Sequence, residues 1–131
     1  MIVLPYPPTM NHYWSRVGFR TLISREGRTF RENVRALLAG DGHRPPNNGR
    51  IALCMDAFPP DNRRRNLDNI QKPLLDALQH AGLYEDDSQI DLLVCRRKET
   101  ASNGRIIVRI ERLPLSICPI CGSGLSAGGN N

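Results

Sequence analysis

Apolar positions change their period along the chain, and each change marks a new element. Residues 50–58 alternate, with Ile51, Leu53, Met55 and Ala57 on one side and Cys54, Asp56 and Phe58 on the other. A period of two predicts a strand. Residues 25–39 instead repeat at helical spacing, with Phe30, Val34, Leu37 and Leu38 in one stripe and Arg28, Arg31 and Arg35 on another face. Ser24 is placed to cap that helix and Gly40 to end it. A second helix is predicted over residues 69–81, burying Ile70, Leu74, Leu78 and Ala81. Pro73 fits it only within the first turn, which sets the start close to Asp68. Gly82 closes it.

Shorter apolar runs predict strands at 1–4, 20–23, 90–97 and 105–112. Ser102-Asn103-Gly104 joins the last two and carries a hairpin signal. Pro5, Pro7 and Pro8 exclude regular structure after the first strand, and residues 41–49, rich in Gly, Pro and Asn, form a loop. The order β-α-β-α-β-β predicts an α/β protein, an α+β sandwich with one small mixed sheet and two helices packed on it. The length of 131 residues suits one domain. Residues 1–113 make that domain, and residues 114–131 a flexible tail without a charged side chain.

Composition narrows the function. With 40% apolar residues but only 5% aromatics, the core must be aliphatic. No apolar run of about 18 residues is present, so no membrane-spanning helix is expected. The first residues lack a basic and apolar leader, and a cytoplasmic protein is expected. The net charge of +5 falls wholly on residues 1–113, which suits a polyanionic partner or simple solubility.

The densest chemistry lies between Arg63 and Asp87. Arg63, Arg64 and Arg65 precede Asp68 and Lys72 at the helix start, and Glu85, Asp86 and Asp87 follow the helix end. Asp68 can cap free amides, and Lys72 lies one turn later on the same face. A helix of about 18 Å, at about 1.5 Å per residue, is matched by about 15 Å of extended return over residues 83–87. Asp86 or Asp87 can therefore reach back toward Asp68. Two carboxylates beside arginines suit a hard divalent cation such as Mg²⁺, which takes one or two carboxylates plus phosphate oxygens. The arginines would clamp flanking phosphates.

The run Arg63-Arg64-Arg65-Asn66-Leu67-Asp68-Asn69-Ile70-Gln71-Lys72, the steps Asp76-Ala77-Leu78 and Ala81-Gly82-Leu83, and Glu85-Asp86-Asp87-Ser88-Gln89-Ile90 resemble the RusA-type Holliday junction resolvases. The opening Leu4-Pro5-Tyr6-Pro7-Pro8-Thr9 and Asn11 is similar to that family's start, and the likeness spans residues 1–113. The resemblance implies a homodimeric, Mg²⁺- or Mn²⁺-dependent endonuclease of recombination and repair, often of prophage origin, that nicks two opposed strands of a four-way DNA junction. It makes Asp68 and Asp87 metal ligands, Asp86 their acidic neighbour, Lys72 the essential lysine and Asn69 the asparagine after the metal-binding aspartate. Arg20 joins Asn69 and the three arginines as a candidate DNA contact. Two-fold junction symmetry matches two active sites related by one axis.

One position departs from the family pattern. Asn66 stands where the family carries an aspartate. Its amide oxygen can still ligate a hard cation but brings no charge. Three outcomes follow: a working enzyme with weaker metal binding, compensation by Asp86 or Glu85, or a junction-binding protein that does not cut.

Tyr13 and Trp14 can stack on unpaired bases or anchor the proline-rich turn. His12, His43 and His80 have no metal-ligand spacing; His12 can contact phosphate, and the other two look like surface residues. Cys54 and Cys95 sit in predicted strands as small core residues. Cys118-Pro119-Ile120-Cys121-Gly122 has the spacing of a zinc knuckle, half of a four-ligand site. It is equally a flexible tail with two free thiols, and two subunits can supply the missing half.

Overall fold

A computed structural model of the chain describes residues 1–41 and 49–125. The elements run β1 (Ile2–Leu4), α1 (Met10–Tyr13), β2 (Trp14–Val17), β3 (Arg20–Ile23), α2 (Arg25–Asp41), β4 (Ile51–Phe58), α3 (Asp68–His80), β5 (Ile90–Arg97) and β6 (Arg105–Arg112). A one-turn 3₁₀ segment, Asp87–Gln89, joins the end of α3 to β5. The result is the expected mixed α/β architecture.

The four-stranded sheet has the order β1-β6-β4-β5. Its centre is β4, whose eight residues are buried but for one. Ile51, Leu53, Met55 and Ala57 enter the core with Phe30, Val34 and Leu38 of α2 and Ile70, Leu74, Ala77 and Leu78 of α3. Full burial of a large aliphatic side chain of this kind contributes about 1.5–3 kcal/mol. The strand's other face carries an Asp56–Arg96 ion pair at 2.9 Å and Arg105 stacked 4.6 Å above the Phe58 ring.

β4 pairs with β5 in parallel and with β6 antiparallel. This corrects the hairpin expected between β5 and β6. The Asn103-Gly104 turn exists, with left-handed φ values of 65° and 68° and a Gly104 amide donating to the Ala101 carbonyl at 2.8 Å. It nevertheless joins strands that flank β4, because the most apolar strand takes a partner on each edge. A Cβ on Gly104 would lie 2.9 Å from Tyr6 Cβ and 3.0 Å from Pro60 Cδ, so the connection packs tightly over the end of β4.

Smaller corrections have local causes. Ser24 does cap α2, accepting from the Gly27 amide at 3.0 Å, but the helix runs through Gly40 to Asp41. Leu37, placed in the apolar stripe, is 46% exposed. Pro73 lies in the second turn of α3 and is buried. A ring there leaves one intrahelical bond unmade, and its burial against the core offsets part of that cost. Most of the loop expected at 41–49, with His43, lies outside the described residues. The strand β2 and the short helix α1 were not legible, since Tyr13 and Trp14 sit at a junction of two short elements.

Candidate functional site

The arginines follow β4 directly. Asp61 organises them: its carboxylate accepts from the Arg63 amide at 2.9 Å and from Arg65 Nη1 at 2.6 Å, and it also pairs with the Arg63 guanidinium at 3.2 Å. The guanidinium of Arg65 beside it holds the Asp61 carboxyl well below the usual carboxylate range. Arg65 lies 6.0 Å over the Tyr6 ring, and Arg97 donates to the Arg65 carbonyl. Arg63 and Arg64 remain exposed.

These groups line a cleft of about 300 Å³ bounded by Pro59, Arg63, Arg64, Arg65, Arg97 and Lys98. Sequence reasoning missed Arg97 and Lys98. They join it because β4 and β5 are parallel, which brings their carboxyl ends, and the basic residues at or after each, to one edge of the sheet.

The acidic region is built on α3. Leu67 takes the N-cap place without a side-chain cap, so Asp68 is not the capping residue but the first residue of the helix, exposed in the turn where the helix dipole favours an anion. Lys72 and Asp76 follow at successive four-residue steps and so share its face. Asn66 is exposed and its carbonyl accepts the Asn69 amide at 3.2 Å.

Beyond the helix, the side chains of Gln89 and Asp86 shape the return. Gln89 Oε1 accepts from the Glu85 amide at 2.8 Å and the Asp86 amide at 3.1 Å, while Gln89 Nε2 donates to the Gly49 carbonyl at 3.0 Å. Asp86 Oδ2 caps the 3₁₀ turn through the Ser88 amide at 2.9 Å, and the Ser88 hydroxyl together with that amide lowers the Asp86 pKa. The Asp87 amide donates to Gln79 Oε1 at 3.1 Å. Buried Tyr84 donates its hydroxyl proton to the Leu75 carbonyl at 2.7 Å, close beside the Asp87 carboxylate.

The charges acting on Asp87 are Asp86, Asp76 and Lys72. Partial desolvation pushes its pKa up, the two aspartates add to this, and the Tyr84 hydroxyl and Lys72 oppose it. Asp76, which sequence reasoning left out of the site, is bound by Arg31 at 2.7 Å and accepts from Tyr13. Its place two turns after Asp68 and one after Lys72 was the readable signal. Tyr13 is fully buried, which removes the base-stacking alternative for it; Trp14 is partly buried and edge-on to it at 4.4 Å.

The structure thus groups Lys72, Asp76, Tyr84 and Asp87, with Asp68 further along the same helix face. Among the described residues, no three His, Cys, Asp or Glu side chains converge as a metal cage. Asn66, Asp68 and Asp87 each carry hard oxygen donors, and Lys72 acts on the charge of Asp87. Such a set fits Mg²⁺ or Mn²⁺, which take one or two carboxylates and complete their shell with water and phosphate.

In the tail, the Cys121 thiol is exposed and pulled down to about 7 by hydrogen bonds from Ser123 and Cys118. Cys54 and Cys95 lie in β4 and β5, as expected of strand residues; burial raises the pKa of both.

A cationic cleft at the carboxyl ends of parallel strands, followed along the chain by exposed carboxylates on the crossover helix, is an arrangement suited to proteins that handle nucleic-acid phosphates. The family model for endodeoxyribonuclease RusA matches residues 5–111, and the chain belongs to that family. It is 40% identical over 111 residues to the crossover junction endodeoxyribonuclease rusA of Enterobacteria phage HK97, covering 85% of this chain and 92% of that protein. Over 93 residues it is 43% identical to the protein of the same name from Enterobacteria phage 82 and 41% identical to that of Escherichia coli strain K12, covering 68% of this chain and 74% of each relative.

Proposed function

We propose that this chain is a divalent-metal-dependent endonuclease that resolves four-way DNA junctions by paired nicks. The observation that carries this reading is that, inside the family-matched region, the arginines of the cleft lead along the chain directly into α3, whose face bears Asp68 and Lys72, and that Lys72 lies near enough to Asp87 to act on its charge. Arg63 and Arg64 hold the flanking phosphates, while Arg65 is held as the fixed floor of the cleft. Asn66, Asp68 and Asp87 hold Mg²⁺ or Mn²⁺, with Asp86 in support as the cap of the turn. When bound, the cation polarises the scissile phosphoryl group and stabilises the leaving oxygen. Lys72 neutralises charge that develops on the phosphate, and the Tyr84 hydroxyl, anchored on the Leu75 carbonyl, lies beside the Asp87 carboxylate.

The β2–β3 hairpin supplies a second DNA contact. Arg16 and Arg20 are exposed, and Phe19 at the turn is wholly exposed. Phosphate contacts from the arginines and an apolar wedge against unstacked bases suit a branched substrate better than a linear duplex. A homodimer working in the cytoplasm supplies the two symmetric sites.

The test is cleavage of a synthetic four-way junction by the full chain with Mg²⁺ or Mn²⁺. Symmetric nicks, absent from linear duplex of the same sequence, are expected. Asn66 in place of an aspartate favours a second reading, a junction-binding protein without catalysis. Junction binding without nicking in either metal, unchanged by Asp68→Asn, would establish that alternative and overturn the nuclease.

A further inference from the structure

The tail lies beyond the residues matched by the family model, and the proposed reaction does not use it. It is nonetheless built. Ile117 and Gly124 form an antiparallel bridge. The Leu125 amide donates to the Ser116 carbonyl and the Cys118 amide to the Ser123 carbonyl, both at 2.8 Å. The Gly122 amide donates back to the Cys118 carbonyl at 2.9 Å, and Gly122 adopts φ 77°. The chain between the cysteines therefore closes into a tight turn whose left-handed residue is a glycine.

That turn sets the two cysteines three residues apart at its ends, closed by the Gly122-to-Cys118 hydrogen bond. Ser123 Oγ lies 3.0 Å from the Cys121 sulfur. Two cysteines on one closed turn, one of them supported by a hydroxyl, form a bidentate soft-metal donor.

The pair is half of a tetrahedral site. Residues 114–131 contain no His, Asp or Glu, and among the described residues no third metal-ligating side chain joins the cysteines. The surface around them indicates where the other half comes from. Ile117, Ile120 and Leu125 flank the turn at 55%, 68% and 44% exposure. An apolar, uncharged turn meets a second copy of itself without charge repulsion and buries these side chains in doing so.

We propose that Cys118 and Cys121 from two copies of this chain form one tetrathiolate Zn²⁺ site. Each thiol releases its proton to solvent as it binds, with Zn–S bonds of about 2.3 Å. The inference is independent of the nuclease reading.

The test uses the full chain, reduced, loaded with Zn²⁺ and dialysed against excess Mg²⁺. Elemental analysis should give one tightly held Zn²⁺ per two chains, and native mass spectrometry a dimer carrying a single zinc. Substitution by Co²⁺ should give the intense thiolate-to-metal charge-transfer absorption of a tetrahedral sulfur site. Cys118→Ser with Cys121→Ser should lose the bound zinc, the zinc-bearing dimer species and the Co²⁺ absorption, and keep junction cleavage. One zinc per monomer, zinc retained by the double variant, or no retained zinc with both thiols free or joined as a disulfide would overturn the proposal.

Discussion

The basic cleft and the acidic helix face are joined by only a few residues, yet they are held by opposite means. In the cleft, charge organises charge: Asp61 grips Arg63 and Arg65, and Arg97 reaches the Arg65 carbonyl. On the acidic side, neutral groups hold most of the return: Gln79, Gln89 and Tyr84 bond its backbone, with Asp86 capping the 3₁₀ turn, and Asp68, Lys72 and Asp87 stay exposed. The difference teaches what each region is for. Arginines that grip a passive backbone gain from being fixed in advance. Carboxylates that must take up a cation lose nothing to internal partners if neutral groups do the positioning.

The comparison breaks most sharply at the carboxylates. Asp87→Asn or Asp68→Asn should lower junction cleavage at least about 100-fold while leaving junction affinity within about threefold, read by single-turnover cleavage and gel shift. Loss of binding in parallel with cleavage would show that the two regions are not separate devices. Replacing Arg63, Arg64 and Arg65 by Ala should do the converse, weakening binding and flattening the slope of log K against log salt by about 0.9 for each phosphate no longer neutralised.

Finer changes sharpen it. Tyr84→Phe keeps the buried ring and removes only the hydroxyl; cleavage should fall about tenfold with substrate affinity unchanged, measured as kcat against KM. Asp61→Ala adds net positive charge, so charge alone predicts tighter DNA binding. Fixation of the arginines predicts binding weakened about threefold, a small effect because exposed ion pairs are individually weak. The smallest effect is on acid stability. The depressed Asp61 carboxyl contributes stability above the ordinary aspartate pKa of about 3.9, and this is lost as pH falls through its lower folded value. Asp61→Asn should therefore show a shallower fall in Tm between neutral and acid pH.

Much of this was legible in the sequence because period and chemistry are local properties. The alternation of residues 51–57, the stripe of α3, the Ser24 cap and the clustering of arginines with Asp68 all come from neighbours in the chain. What depended on distant partners was not. Asn103-Gly104 signalled a turn, but only the appetite of β4 for two partners decided that β5 and β6 would lie apart. Arg97 and Lys98 joined the cleft through parallel pairing. Asp76 carried no mark of its link to Tyr13 and Arg31, residues 63 and 45 positions away. Pro73 was placed by a rule about helix starts that burial overrode.

Gly27 sits where α2 presses on the base of the β2–β3 hairpin; a methyl there would come within 2.8 Å of Ile23 Cγ1 and collide with the Tyr13 carbonyl. The hairpin is thus clamped at its root and unsupported at its tip, like a diving board. Tyr13, at that root, donates its hydroxyl to Asp76 on the acidic helix. A bulkier residue at position 27 would therefore displace Tyr13 and reach the acidic face through the core, without any change at its own carboxylates.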